Sequence, residues 1–429
     1  MTKHDTSDVR VAMPDIHIFG GGTVFHVRPH LAISAPAYGK VAQQIAYEIH
    51  QNPEHGNRWK LHLTKMAQSG STLETNDDIS LRLDALLADP HTKIIVMSAA
   101  LCDFTGEIVT GNGITQSMQG SPSGKDQPRL KSGEGRQMLR LTPSEKIISK
   151  IRQVRKDIFL VGFKTTAGET ADNQYLAGLK LLKQASCNLV LANDLHTRLN
   201  MVITPEQARY HETTDRTEAI RGLVEMTLLR SQLTFTRSTI VSGDPVAWDG
   251  DQVPESLRTV VNHCIDRGAY KPFNGATVGH FAFKVDDTKF ITSRRKVDFN
   301  QLQKLGMVLV ESDSPDTVVA HGFKPSVGGM SQRIIFKEHP DVDCIVHFHC
   351  PPKPGSKIPV RSQREFECGS HECGKNTSDG LQDFEGIRAV MLDRHGPNIV
   401  FNRNTDPNKV IRFIEDNFDL KGRTDNVQV

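Results

Sequence analysis

The chain has 429 residues, of which 37% are hydrophobic and 24% are charged. That length exceeds what one ordinary core accommodates, so we expect two domains of roughly 200 residues each. Lysine and arginine number 52 against 50 aspartates and glutamates, a formal charge of +2. This balance gives no electrostatic footprint for nucleic acid or an anionic membrane, so small-molecule chemistry is favoured.

The composition also predicts a cytoplasmic protein. No apolar run approaches the roughly 18 residues that a membrane span needs. Residues 1–14 form a predicted polar tail without the apolar core of a signal peptide. Seven cysteines, an odd number, in a chain expected to remain in a reducing compartment argue against a disulfide framework.

From Asp15 onward, short apolar runs alternate with amphipathic stretches, which is typical of a parallel sheet covered by helices. The runs predict strands at 16–21, 93–100, 157–164 and 188–194, and helices at 40–49, 144–156 and 172–185. We therefore predict an α/β fold, beginning with a Rossmann-like, doubly wound parallel sheet domain over residues 15–240.

Two breaks interrupt the pattern. Residues 111–138 are rich in Gly, Ser, Gln and Lys and predict a mobile surface loop, either closing over substrate or a solvated insertion. Residues 241–253 carry the turn residues of a linker. A second domain is then predicted over 254–422, opening with a helix that begins at Pro254 and stops at Gly268.

Ligands gather at the carboxyl ends of parallel strands, so the polar groups that follow each apolar run are the candidates. Glycine amides near a helix start favour an anion, although a glycine run alone is also a tight turn. The groups are GGGT (Gly20, Gly21, Gly22, Thr23), SAALCDF (98–104), GFKTTAGE (162–169) and ANDLHTR (192–198).

In this order the groups resemble the phosphopantothenate cysteine ligase family over residues 15–229. The resemblance implies ATP or CTP as cofactor, bound by Gly20 to Thr23, Lys40, Asp103 and Lys131, with Asn193 as an active-site asparagine. Residues 35–38 and Arg216 depart from the family pattern. Two alternatives stay open: Asn193 and Asp194 cap the following segment while Lys131 is a solvated charge, or the domain binds a nucleotide without ligase chemistry.

In the second half, the apolar run CIVHFHC carries His347 and His349 two residues apart. Strand side chains alternate faces, so both imidazoles point the same way and Phe348 points the other way. His395 follows another apolar run, AVML. A third imidazole at a strand end completes a three-nitrogen set with one open position, which is typical of a catalytic zinc.

Residues 254–420 resemble the class II aldolase and adducin family at several places in the same order. The resemblance implies an α/β/α domain and zinc, or another divalent metal, held by His347, His349 and His395. His280 and Ala282 replace the asparagine and serine of the family's phosphate strand. The implied substrate-binding residues are His280, Thr292, Ser293 and Ser326.

The family's acid/base glutamate falls at Gly328, which has no side chain, so something else must move the proton. The loop 364–381 offers Glu365, Glu367, His371 and Glu372 as replacements. Alternatively, Cys368, His371 and Cys373 form a structural turn, or a separate zinc clip with Cys350.

The combined prediction is a fused enzyme, an aldolase-like lyase with a nucleotide-dependent ligase-like domain. Its partners are a small-molecule substrate and a nucleotide, with no nucleic acid and no membrane, and both resemblances imply a homo-oligomer. The rival hypothesis is a non-catalytic, adducin-like assembly module, which Gly328 favours. The three histidines oppose it, because buried imidazoles without a metal are unsatisfied polar groups.

Overall fold

The computed structural model describes residues 15–109, 124–273, 275–312, 314, 317–326 and 329–425. It separates into two compact units: the described residues up to 203 together with 211–227, and residues 204–210 together with those from 228 onward. Residues 228–240 and the predicted linker 241–253 lie in the second unit, because the strand at Arg237–Val241 pairs with the strand at Thr317–His321. None of the described helices is both long enough and apolar enough to cross a membrane.

In the described part, eleven strands and five helices belong wholly or mostly to the first unit; the last of these strands begins, and the last helix ends, with residues of the second unit. The strands are β1 (Ile16–Gly20), β2 (Val24–Arg28), β3 (Leu31–Ser34), β4 (Trp59–Leu63), β5 (Ile94–Met97), β6 (Phe104–Val109), β7 (Met138–Pro143), β8 (Phe159–Thr166), β9 (Leu189–Asp194), β10 (Asn200–Ile203) and β11 (Arg209–Thr213). The helices are α1 (Lys40–His50), α2 (Asn76–Ala88), α3 (Ile147–Val154), α4 (Ala171–Ala185) and α5 (Arg216–Arg230).

Seven of these strands form one sheet in the order β11-β10-β9-β8-β5-β1-β4 in the described chain. The neighbours from β4 to β9 are parallel, and β10 returns antiparallel to β9. Every residue of β1, β5 and β9 is buried, as expected for parallel strands covered on both faces. The Rossmann-like prediction is therefore confirmed, because the continuous apolar runs mark the central strands.

The second unit holds the remaining elements. Its strands are β12 (Arg237–Val241), β13 (Pro272–Phe273), β14 (Ala276–Thr277), β15 (His280–Lys284), β16 (Lys289–Thr292), β17 (Val308–Ser312), β18 (Thr317–His321), β19 (Cys344–His347), β20 (Val360–Arg361), β21 (Gln382–Phe384), β22 (Ile387–Leu392) and β23 (Gly396–Phe401). Its helices are α6 (Glu255–Asp266), α7 (Leu302–Leu305), α8 (Gly329–Glu338), α9 (His371–Gly380) and α10 (Pro407–Asn417).

A mainly antiparallel sheet forms the centre of this unit, in the order β12-β18-β17-β16-β15-β19-β23-β22-β20 with β21 beside β22. Alternation along β15 gives the sheet a core on each face. Phe281 and Phe283 join a cluster that includes buried residues of α6 and α10. Ala282 joins a second cluster with Ile335 and Phe336 of α8. The predicted α/β/α layering is confirmed.

Candidate metal centre and nucleotide site

Three histidines from two neighbouring strands converge in the second unit. His347 ends β19, His349 follows two residues later, and His395 immediately precedes β23, which pairs antiparallel with β19. One ring nitrogen from each lies within 4.8 Å of the other two. The ring centroids are 4.6 to 5.2 Å apart, and all three side chains are buried.

The ring nitrogens fit a metal cation. His347 Nδ1 donates a hydrogen bond to Pro397 O at 2.8 Å, so its Nε2 carries the lone pair. Within the described residues, His347 Nε2 and His395 Nδ1 are buried without a hydrogen-bond partner. Such atoms are costly unless something coordinates them. A cation between the rings would satisfy His347 Nε2 and His395 Nδ1. The hydrogen bond from His347 Nδ1 to Pro397 O is the kind of support that metal-binding histidines usually have.

Burial also favours the neutral form of His347 and His395, which is the form that binds metals. Burial lowers the pKa of His347 to about 4. Burial, followed by the neighbouring His347 and His349, holds the pKa of His395 well below its ordinary value. Neutral imidazole is the ligating form, so these two rings have no proton to displace near neutral pH.

Gly396 permits the close approach of β23 to the histidine strand. Its φ of +153° lies in a region that other residues rarely adopt. A Cβ at this position would stand 2.1 Å from Phe348 O and 3.3 Å from His347 Cε1. The glycine after His395 therefore fixes how near the third imidazole lies to the other two.

Gly396→Ala is expected to weaken zinc binding by more than tenfold, because the backbone next to His395 must move away from Phe348. Zinc affinity by competition with a chromogenic chelator measures this. Gly355→Ala is the matched control, since Gly355 also has a positive φ of 85° but nothing lies within 4 Å of its added Cβ. Equal losses of affinity in both variants would contradict the explanation, which requires a local clash rather than backbone strain alone.

The C-terminal segment is bonded to two of the histidine residues. Thr424 N donates to His349 O at 3.3 Å, and Thr424 Oγ1 donates to His395 O at 3.0 Å. Lys271 Nζ donates to Leu420 O at 2.6 Å. A small recess beside His349 is lined by Gln207, Lys271, Arg423, Thr424 and Asp425. The sequence gives no signal for this, because a single threonine in a polar segment has no periodicity.

The four predicted substrate-binding residues lie near one end of β15 and β16. His280 is paired with His347, and their ring centroids are 4.7 Å apart. Thr292 Oγ1 donates to Phe281 O at 3.3 Å, so its hydroxyl already has a backbone partner within the sheet. Ser293 Oγ is buried without a hydrogen-bond partner in the described part of the chain, and Ser326 N donates to Ser293 O at 2.9 Å.

The predicted acid/base residues contact other parts of the unit. Glu372 accepts hydrogen bonds from Thr234 N and Oγ1, the latter at 2.8 Å. His371 Nε2 lies 2.6 Å from Thr236 Oγ1. Glu367 is half-buried in the loop before α9. In the described ranges, the only group suited to a metal is the three histidines, so none of these side chains joins it. Their catalytic role stays a prediction.

The remaining expectations concern the cysteines, Gly328 and the predicted surface loop. The described cysteines do not form a zinc clip: Cys350 Sγ donates to Ala269 O, and Cys373 Sγ lies beside the Gln363 amide. Gly328 lies outside the described residues. Residues 111–123 of the predicted surface loop also lie outside the described residues.

In the first unit, the glycine group packs tightly. Gly22 N donates to Ala37 O at 2.7 Å, and a Cβ on Gly22 would lie 2.1 Å from Ala35 O. Thr23 N donates to Ala100 O, and its buried hydroxyl bonds to Asn76. Gly20 ends β1, and Gly21 follows it. Since the amides of Gly22 and Thr23 already have partners, the contacts favour the alternative of a tight turn over direct phosphate binding.

The remaining nucleotide-site candidates lie on several segments. Lys40 is the exposed first residue of α1, and Lys131 is exposed beside a short 3₁₀ turn. Asp103 forms an exposed ion pair with Lys146 at 2.5 Å. Asn193, near the end of β9, is buried and accepts from Thr165 Oγ1 at 3.2 Å. The structure gives no contact among Lys40, Lys131 and Asn193 in its described part.

Asp194 holds the carboxyl end of β9 together. Its carboxylate accepts hydrogen bonds from Gly168 N, Glu169 N, His196 N and Thr197 N. Burial raises its pKa, but the Thr197, Gly168 and Glu169 amides together outweigh burial and hold the pKa far below the usual range. The structure therefore shows the capping role that was left open for Asp194.

The fold and the site define a two-unit α/β protein with a Rossmann-like half and a class II aldolase-like half that carries a three-histidine cluster. Residues 262–352 match the family model described as the Class II Aldolase and Adducin N-terminal domain. That stretch includes His280, Thr292, Ser293, Ser326, His347 and His349. The predicted resemblance of the second half is confirmed.

The first half is similar to the Coenzyme A biosynthesis bifunctional protein CoaBC of Thermococcus kodakarensis, at 24% identity over 180 residues. That match covers 42% of this chain and 40% of the relative, so the chain spans two fifths of the curated relative's length. The resemblance to phosphopantothenate cysteine ligases is thereby confirmed.

Two solved structures are also similar in part. The DNA/Pantothenate Metabolism Flavoprotein from Streptococcus pneumoniae is 20% identical, with a TM-score of 0.41, covering 50% of this chain and 98% of that one. An L-fuculose 1-phosphate aldolase is 17% identical, with a TM-score of 0.29, covering 39% of this chain and 85% of that one.

Proposed function

We propose that the chain is a fused enzyme whose second unit is a zinc-dependent, aldolase-like lyase for a small hydroxy-carbonyl or phosphorylated compound. The convergence of three buried imidazoles, two of them with unsatisfied ring nitrogens, carries this proposal. The first unit is then a nucleotide-dependent ligase-like domain that joins a carboxylate to an amine with ATP or CTP. Both resemblances also support a homo-oligomer.

In the second unit, His347, His349 and His395 would hold the cation. A bound zinc ion supplies Lewis acidity toward the oxygens of a hydroxy-carbonyl unit. Pro397 O fixes the orientation of the His347 ring, and Thr424 ties the backbones of His349 and His395 together. The site is therefore preorganised by bonds that do not involve the ligating atoms, which is the support a metal centre requires.

In the first unit, Lys40 and Lys131 are the proposed phosphate-binding cations. Both side chains are exposed, and neither ammonium group has a hydrogen bond or ion pair among the described residues. Phosphoryl and acyl transfer depend mainly on positioning and on cationic donors around the developing charge. Asn193, at the carboxyl edge of the sheet, is the proposed amide near the activated carboxylate.

Metal analysis of the purified full-length protein tests the proposal. We expect about one equivalent of zinc per chain by mass spectrometry, together with cleavage of at least one compound in a panel of hydroxy-carbonyl substrates. Dialysis against a chelator should abolish that cleavage, and zinc should restore it. Protein that contains no metal and takes up none when zinc is added would refute the lyase.

The second candidate is an adducin-like assembly module fused to a nucleotide-binding domain. Gly328, where the resemblance expects the acid/base glutamate, favours it. The buried histidine cluster opposes it, because an assembly module has no need of unsatisfied imidazole nitrogens in its interior. Absence of metal combined with a stable oligomer in sedimentation would select this second candidate.

A further inference from the structure

A fourth histidine lies beside the three-histidine cluster. His280 opens β15 and is directly opposite His347 in the antiparallel ladder, so the two side chains leave the same face of the sheet. Their ring centroids are 4.7 Å apart, and His280 is 5% exposed. His280 is outside the group of three that could hold a metal. It therefore belongs to the wall of the candidate site.

Gln332 of α8 sets the orientation of this ring. It is fully buried, and its amide Nε2 lies 2.6 Å from His280 Nδ1. An amide nitrogen can only donate, so Nδ1 accepts and the neutral ring carries its hydrogen on Nε2. Gln332 Oε1 is buried and has no hydrogen-bond partner within the described chain. The pair therefore leaves one donor, His280 Nε2, for a ligand.

The surroundings of the pair do not suit phosphate. Among the described residues, no lysine or arginine forms a hydrogen bond or ion pair with His280 or Gln332. Proteins recognise phosphate through cations and several donors, whereas this pair supplies a single neutral donor. A hydroxyl group, by contrast, is neutral, and its oxygen can accept the hydrogen bond from His280 Nε2. The hydrogen-bonding character of the pair therefore matches an alcohol.

We propose that His280 hydrogen-bonds to a hydroxyl of the substrate, and that Gln332 is a positioning residue that acts through His280. This inference rests on the proposed lyase function and narrows its substrate class. The compound is a hydroxy-carbonyl that carries a free hydroxyl, rather than a phosphate, at the end nearest His280. Ala282, next on the same face of β15, adds no polar group there.

Cobalt-loaded full-length protein provides the test. Visible absorption of Co²⁺ is titrated with dihydroxyacetone and, separately, with dihydroxyacetone phosphate, and cobalt content is measured in every sample. Wild type is expected to bind dihydroxyacetone at least as tightly as the phosphate ester. Gln332→Leu should weaken dihydroxyacetone binding about tenfold, the effect of one lost hydrogen bond, with cobalt content unchanged.

Two further variants separate positioning from stability. Gln332→Glu keeps the size of the side chain but replaces the amide donor with a carboxylate that accepts from His280 Nδ1, so the neutral ring loses the hydrogen on Nε2 and dihydroxyacetone binding is expected to weaken as in Gln332→Leu. Gln363→Leu removes a different fully buried amide, one that donates to Phe366 O, and should leave binding unchanged. His280→Asn, which has a shorter side chain, should weaken binding as Gln332→Leu does.

The outcomes separate this inference from the function on which it rests. Unchanged dihydroxyacetone binding in cobalt-loaded Gln332→Leu overturns the inference and leaves the metal centre intact. Binding of the phosphate ester more than tenfold tighter than dihydroxyacetone in wild type overturns it as well. A wild-type protein that takes up no cobalt refutes the proposed lyase itself, and the inference falls with it.

Discussion

His347→Ala is expected to reduce bound zinc from about one equivalent per chain to less than a tenth. His347 contacts both other members of the cluster, with ring centroids 5.2 Å from His349 and 4.6 Å from His395. Two remaining imidazoles make a much weaker site than three. Zinc per chain by mass spectrometry is the primary measurement. His349→Ala and His395→Ala should behave alike, since each removes one of the three ligands.

His339→Ala is the matched control. It removes an imidazole of the same unit, whose Nε2 lies 3.0 Å from Ser378 Oγ, and should leave zinc content unchanged. A thermal scan adds an independent readout, because a ligand at 100 times its Kd stabilises the folded state by about 2.7 kcal/mol. Chelator should therefore lower the Tm of wild type and of His339→Ala but not of His347→Ala. Full zinc occupancy in His347→Ala, His349→Ala and His395→Ala would show that these histidines are not the zinc ligands.

Glu206→Ala is expected to lower the free energy of unfolding of the second unit by about 3–5 kcal/mol, because removing one partner of a buried ion pair leaves the other charge buried and unpaired. Glu206 Oε2 lies 3.1 Å from Arg230 Nη1, and both side chains are 0% exposed. The other carboxylate oxygen accepts from Cys368 N. Arg230 also donates to Gln363 O and Arg364 O, so its charge stays buried when Glu206 is removed.

The chain contains two tryptophans, Trp59 of β4 and the fully buried Trp248 of the second unit. Urea unfolding of a Trp59→Phe background, followed by Trp248 fluorescence, therefore reports the second unit alone. Asp379→Ala is the control, since it breaks an exposed ion pair with Lys375 in the same unit and should change stability by no more than about 1 kcal/mol. A loss below about 1 kcal/mol for Glu206→Ala would show that the buried pair is unimportant.

The sequence determines the central parallel strands and some helices of the first unit because their signals are local. Continuous apolar runs place β1, β5, β8 and β9, and amphipathic spacing places α1 and α4. It does not predict that residues 204–210 pack with the second unit, where Glu206 meets Arg230. Nothing in a short polar turn specifies a partner more than twenty residues away, since that pairing depends on how the whole chain folds.

The same division holds at the candidate metal centre. Alternation along CIVHFHC is enough to place His347 and His349 on one face and Phe348 in the opposite core, as the structure shows. The spacing of Gln332, Ile335 and Phe336 could have marked Gln332 as buried, because positions i, i+3 and i+4 share a helix face. Its contact with His280 could not be read from spacing.

What the sequence by itself determined was therefore the identity of the three histidines and the sheets that carry them. Only the tertiary structure decided which neighbours surround them: Gln332 on His280, Thr424 on two ligand backbones, and Gly396 against Phe348. In the folded chain Glu372 accepts a hydrogen bond from Thr234 N and does not join the three histidines. The physical reason is that strand alternation is a property of consecutive residues, whereas contacts between distant segments depend on packing that no local pattern encodes.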